Sequence, residues 1–197
     1  MKNLALLLVA SMPFCGLAHA ADATQQVDLL QSGVDVGDVF VRRTTTGGAR
    51  VAIRIVVDDG VTTAGHVYQL VLRVFNNPQH CAIPNSCSLT DLPANGGSTL
   101  VDGSLILVTA GIAEATGNQF FGRLYTAPAG NVAVAQVRQG HGLVNLFGAQ
   151  LEVLLRDMDA AQPDDDLFDQ MYDIQGGGGC GSTLVCSILA TSALIVP

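Results

Sequence analysis

Few side chains in this sequence are suited to acid–base or metal chemistry. One of its four histidines, His19, falls in the first twenty residues, which leaves His66, His80 and His141. None stands in an H-x-H or H-E-x-x-H arrangement, so any site built on them must be assembled by the fold. His80 adjoins Cys81, and one expectation is a hydrolase with a fold-assembled site near His80, that histidine acting as base. His141 lies between Gly140 and Gly142, in a turn. There is no G-x-S-x-G elbow for a serine nucleophile. Asp102-Gly103-Ser104 is not the D-T-G or D-S-G of an aspartic protease, and the only glutamates, Glu114 and Glu152, do not mark a glycosidase pair. The sequence assigns no catalytic residue.

Carboxylates are more plentiful. Asp157, Asp159, Asp164, Asp165, Asp166 and Asp169 crowd into residues 157–169. Calcium prefers several oxygen ligands, so Asp157, Asp159, Asp164, Asp165 and Asp166 are candidate Ca²⁺ ligands. The spacing lacks the glycine and twelfth-position glutamate of an EF-hand, and a solvated acidic loop is the competing expectation. Residues 176–183, GGGGCGST, superficially match a phosphate-binding loop. They carry no lysine and join no strand to a helix, the two features that hold phosphate. A flexible hinge is expected there.

Compartment follows from the N-terminus and the cysteines. Lys2, the apolar run 4–10 and Ala18-His19-Ala20 have the layout of a secretory signal peptide, cleaved near Ala20. The expected product is secreted or periplasmic. Beyond residue 20 there are eight arginines, no lysine and seventeen carboxylates, a formal charge of −9. That charge disfavours DNA, RNA and anionic lipid, and no basic patch with interleaved aromatics appears. No later stretch approaches the ~20 apolar residues of a membrane span. Cys81, Cys87, Cys180 and Cys186 remain, an even number that points to disulfides in an oxidising compartment. Both pairs are spaced C-x5-C, so local Cys81–Cys87 and Cys180–Cys186 loops are the first choice of three pairings. A zinc site would show tighter C-x2-C spacing.

The elements that position these residues read as strands. Residues 21–35 are polar and weakly patterned, an N-terminal leader, and 36–197 form one domain. Val39 and Val41 oppose Phe40 and Arg42; Val51, Ile53, Ile55 and Val57 alternate with Ala52, Arg54 and Val56; Tyr68, Leu70, Leu72 and Val74 share a face. Thr46-Gly47-Gly48, Asp58-Asp59-Gly60 and Asn76-Asn77-Pro78 are turns. Further strands are expected at 100–110, 119–125, 149–157 and 182–193, with shorter ones near 132–137 and 170–175. Gly97-Ser98-Thr99-Leu100-Val101 recurs as Gly181-Ser182-Thr183-Leu184-Val185, two similar strand starts. No convincing amphipathic helix is present. About eight or nine short strands with turn signals between them predict an antiparallel β-sandwich. Arg54, Arg73, Glu152 and Arg156 fall on outward faces and are expected to form solvent-facing cross-strand pairs worth at most ~1 kcal/mol each. An arginine-lined face for acidic groups is the sharper alternative.

Phe75-Asn76-Asn77-Pro78-x-x-Cys81…Cys87, then Gly148-Ala149-x-Leu151-Glu152-Val153…Arg156-Asp157, then Gly-Gly-Gly-Cys180…Cys186 resemble a family of secreted bacterial proteins of unknown function over roughly residues 50–190. Similar sequences often carry a histidine where this chain has Glu152 and another soon after Arg156. This chain departs from that pattern with Glu152 and Asp157-Met158-Asp159. The resemblance implies export, a β fold and pairing within each C-x5-C, and brings no activity with it. The expected function is therefore a non-catalytic β-sandwich acting in binding or extracellular structure, its partner an extracellular protein or glycan. A calcium-stabilised adhesion or matrix module using the 157–169 loop is the alternative beside the hydrolase near His80.

Overall fold

The computed structural model describes residues 23–45, 49–114, 119–125, 137–172 and 186–196. Residues 1–20, the glycine-rich stretch 176–183 and Cys180 lie outside the described residues. Among the described residues nine strands are present: β1 Ala23–Gln31, β2 Val34–Thr44, β3 Arg50–Val57, β4 His66–Phe75, β5 Gly103–Ile112, β6 Gln119–Tyr125, β7 Val137–Gln139, β8 Gln150–Ala160 and β9 Ser187–Ser192. All pair antiparallel in the order β6-β3-β2-β1-β9-β8-β4-β5-β7. The sheet folds back on itself as an open sandwich, which bears out the all-β antiparallel expectation. The two halves meet where β1 touches β9, through the pairs Leu29–Ser192 and Leu30–Thr191.

Strand periodicity explains the packing. In β3, Val51, Ile53, Ile55 and Val57 are buried while Arg54 is exposed, the alternation of a half-covered strand. In β4 every residue after His66 is buried, because β5 and β8 flank it and both its faces are covered. Leu70, Leu72, Leu151, Val153 and Leu155 join Val39, Val41, Ile53 and Ile55 in one core. β6 arrives across β5: Phe120 lies 5.9 Å from the Tyr68 ring. A Cβ on Gly122 would come within 2.0 Å of Val108 Cγ1, so glycine permits that approach.

A second, smaller core closes one end of the sandwich. Phe75, Cys81, Cys87, Leu92 and Val101 pack together around the Cys81–Cys87 disulfide. The chain from 76 to 102 is wound over them in four single 3₁₀ turns, Pro78–His80, Leu89–Asp91, Pro93–Asn95 and Thr99–Val101. Cys186 is disulfide-bonded as well; Cys180, its expected partner, is not among the described residues.

Several expectations are corrected. The polar leader is instead β1: Val27 and Leu29 alternate toward the core while Thr24, Gln26 and Asp28 are exposed, Gln26 bonding Asp38, so these polar residues are the outer face of a strand. Residues 164–172 form a helix, α1 Asp164–Tyr172, where an acidic loop and then a short strand were expected. Three aspartates in its first turn are favourable against the helix dipole, which turns a loop-like composition into a helix start. Gly97–Val101 is not a strand start, since residues 99–101 make a 3₁₀ turn and β5 begins at Gly103. β9 occupies 187–192, inside the expected span 182–193, of which residues 182–185 lie outside the described residues.

The cross-strand pair is found, but it is not solvent-facing. Arg73 lies directly opposite Glu152, with Nη1 to Oε2 at 2.7 Å, and the Arg73 side chain is only 5 % exposed. Arg156 is likewise buried, donating to Gln69 Oε1 at 3.2 Å, and the Gln69 amide in turn donates to the Gln170 carbonyl of α1. α1 therefore lies against what the pattern suggests is an outer face. Arg54 alone of the three arginines is exposed, stacked 5.1 Å from the Phe40 ring. Two of the three being buried, they form no open face for acidic groups.

Candidate functional site

The site is built from the turn that ends β4. Asn76, 1 % exposed, uses its whole amide. Its Nδ2 donates to the carbonyls of Asp102 (3.0 Å) and Gly142 (2.9 Å), and its Oδ1 accepts the N–H groups of Val144 (2.9 Å) and Asn145 (3.1 Å). Asn145 returns a bond from its side chain to the Asn76 carbonyl. One residue thus ties the start of β5 to the loop between β7 and β8. Buried Ser104 completes the clamp, its Oγ accepting the N–H groups of His141 and Gly142, both at 3.0 Å. Gly140 has φ +75° and a Cβ there would lie 2.3 Å from Ser104 Oγ, so only glycine lets the loop pass.

This clamp delivers His141 to Asp102. Nδ1 of His141 lies 2.9 Å from Asp102 Oδ1, while Asp102 Oδ2 accepts from Asn76 Nδ2 at 3.2 Å. Asp102 itself holds a left-handed conformation, φ 50°, which aspartate tolerates better than most residues. In the neutral ring, a carboxylate beside Nδ1 favours the tautomer with the proton on that nitrogen, which leaves Nε2 as an acceptor. The imidazole is 83 % exposed, at the mouth of a cavity of about 220 Å³. Leu92, Pro93 and Ala94 form its apolar wall; Thr99, Asp102, Gln139 and His141 provide the polar groups.

The disulfide loop beneath is ordered by Asp91. Its carboxylate accepts the Ala82 N–H (2.7 Å), the Ser88 N–H (2.8 Å) and the Ser88 hydroxyl (2.9 Å). Burial alone would raise its pKa, but these three bonds outweigh that and hold it below the ordinary value. Gln150 ties the same loop to β8, accepting the Cys87 N–H and donating to the Asn85 carbonyl.

His80, named as a possible base, is exposed at the end of its turn and forms no ion pair with a carboxylate among the described residues. His66 meets a different aspartate: Nδ1 is 3.0 Å from Asp157 Oδ1, and Nε2 is 3.9 Å from Asp159 Oδ1. Asp157 also accepts from the Tyr68 hydroxyl at 3.2 Å and the Asp159 N–H at 2.8 Å. Burial, then the nearby Asp157 carboxylate, raises the Tyr68 pKa despite the N–H that Thr63 donates to its oxygen. Of the candidate calcium ligands, Asp157 and Asp159 therefore end β8, and Asp164, Asp165 and Asp166 begin α1. Among the described residues no group of three or more His, Cys, Asp or Glu is placed to hold a metal ion, and no helix is long and apolar enough to cross a membrane.

Sequence reasoning noted His141 as a glycine-flanked turn residue and set Asp102 aside on motif grounds; it gave no sign that they meet. Ser88-x-x-Asp91 was the one local signal available, a capping-box spacing. Comparison with protein-family models, curated proteins and solved structures yields no match to this chain.

Proposed function

We propose that this chain is an exported, non-catalytic binding protein whose ligand site is the cavity between the 92–102 segment and the His141 turn. One observation carries the reading: an exposed histidine is held against a part-buried aspartate at the mouth of a cavity, by a loop whose backbone bonds to Asn76 and Ser104 fix it in advance. Preorganisation of this kind lowers the cost of ordering a site on binding. The volume, about 220 Å³, is below the ~300–1,000 Å³ of drug-sized ligand sites. It suits one ring or one side chain, the part of an extracellular protein or glycan that a surface module would grip.

Binding is favoured over hydrolysis because Ser104, the hydroxyl nearest in the clamp, is fully buried and occupied as acceptor of two N–H groups. It is not placed to attack a substrate. The disulfide-bonded cysteines and the resemblance to exported proteins support action outside the cytoplasm. The test is a small-fragment screen followed by backbone amide chemical shifts in the oxidised protein. Shifts gathered on Ala94, Thr99, Asp102, Gln139 and His141 are expected. Fragments that move other regions and leave these amides still would overturn the reading, as would turnover of an ester or glycoside that disappears in His141→Gln.

A further inference from the structure

We infer that the group this cavity takes is a primary alkylammonium, the side chain of a lysine presented by an extracellular protein; the inference rests on the binding reading above. The lining has one formal charge, the carboxylate of Asp102, and neither lysine nor arginine. His141, its Nδ1 proton committed to Asp102, offers Nε2 as an acceptor. The Thr99 hydroxyl and the Gln139 amide oxygen can accept as well. The same lining includes the apolar residues Leu92, Pro93 and Ala94.

An ammonium brings three donors and no acceptor. Its methylene stem lies along apolar surface while the head reaches polar groups. Stem and head match the apolar and the polar residues of the lining. A carboxylate or phosphate would meet Asp102 with no cation in the lining to offset it, and an aliphatic or unsubstituted aromatic group would leave the acceptors unpaired. The acidic chain also draws cations toward its surface. The source of the ammonium is argued from the rim. Leu100 beside Thr99 is 63 % exposed and Val144, three residues beyond His141, is 46 % exposed. These exposed apolar residues, close in sequence to the lining residues Thr99 and His141, suit a protein that carries the lysine more than a free amine.

The experiment titrates the ¹⁵N-labelled, oxidised protein with Nα-acetyl-lysine amide, its Nε-acetylated form, Nα-acetyl-norleucine amide, butylamine and a short lysine peptide flanked by apolar residues. The amides of Ala94, Thr99, Asp102, Gln139 and His141 are expected to shift with the lysine probes. Affinity should fall at least about tenfold on Nε-acetylation and in Asp102→Asn, since a charge-assisted bond is lost. The lysine peptide should bind more tightly than butylamine. Equal binding of the norleucine or acetylated probe overturns the ammonium assignment and leaves the binding reading standing. Butylamine matching the peptide overturns the protein source. No shift at these amides with any lysine probe, where other fragments do shift them, overturns the inference alone. Asparagine also tolerates the Asp102 backbone conformation, and if that variant is unstable the wild-type probe series decides.

Discussion

Replacing Asn76 by alanine tests whether one amide holds the site together. The change deletes three donations, to the carbonyls of Asp102 and Gly142 and to the Asp102 carboxylate, and two acceptances, from the N–H groups of Val144 and Asn145. A buried polar group left unpaired costs ~1–3 kcal/mol. The bond to the Gly142 carbonyl is fully buried and carries the upper part of that range, whereas the other four are part-buried and regain some bonding from water. The sum is about 3–5 kcal/mol, a large share of the ~5–15 kcal/mol by which domains are stable. Asn76→Asp discriminates further. Its carboxylate keeps both acceptances but turns repelling oxygens toward two carbonyls and Asp102. That raises its folded pKa above the unfolded value, so the variant should regain stability as pH falls and lose it as pH rises through the folded pKa. The assay is urea denaturation of both variants across pH 4–7 (roughly the carboxylate range), with hydrogen exchange read at Val144 and Asn145. If Asn76→Ala unfolds within about 0.5 kcal/mol of wild type, the level of an ordinary surface change, and exchange at both amides is unaltered, the clamp argument is wrong.

Four further outcomes are expected. Glu152→Ala strands Arg73, whose side chain is 5 % exposed, and should cost about 3 kcal/mol in denaturant; the double variant Arg73→Met, Glu152→Leu should recover much of it. Replacing Cys81 and Cys87 by serine opens a loop of sequence separation 6, for which loop-closure entropy gives about 2 kcal/mol, measured as a drop in Tm. Asp91 has a lowered folded pKa, so its contribution is present above the unfolded carboxylate pKa and is lost as pH falls through the folded one; Asp91→Asn should be less stable at neutral pH and show a shallower acid limb. Gly37→Ala, at φ +146° with a Cβ 2.2 Å from the Val56 carbonyl oxygen, should lose about 2 kcal/mol or more, whereas Gly33→Ala, with open space around it, should lose less.

What was legible in the sequence is what period two encodes. β3 and β6 fall at the expected residues, and β4 and β8 within a few, because one-face burial writes itself as alternation of Val, Ile and Leu with polar residues. β1 was missed because its outward positions, Thr24, Gln26 and Asp28, outweigh the inward Val27 and Leu29 in composition. α1 was missed because five of its nine residues are acidic or amide side chains and Phe168 is 64 % exposed. Its formation depends on docking against β4 through Gln69 and on the helix start, neither of which leaves an apolar stripe. The site was invisible for a different reason. Asp102 and His141 are 39 residues apart, and what joins them is an asparagine that reads locally as an ordinary turn residue.

That asparagine also explains why the site lies at this end of the sandwich. At the β4 terminus both faces of the strand are still covered, so the backbone groups of the crossing loops lose water and require partners. Asn76 and Ser104 supply them from within regular strands or their immediate ends, where position is fixed by the sheet ladder. The disulfide and Asp91 fix the opposite wall of the cavity independently. Two walls anchored to different parts of the rigid sheet leave a gap whose width neither wall can change alone. On the proposed binding reading, a ligand entering it would meet a shape already set, and one without donors would be disfavoured by the acceptors around Asp102. Loosening either anchor, Asn76 or Asp91, should therefore weaken binding without touching a single lining residue.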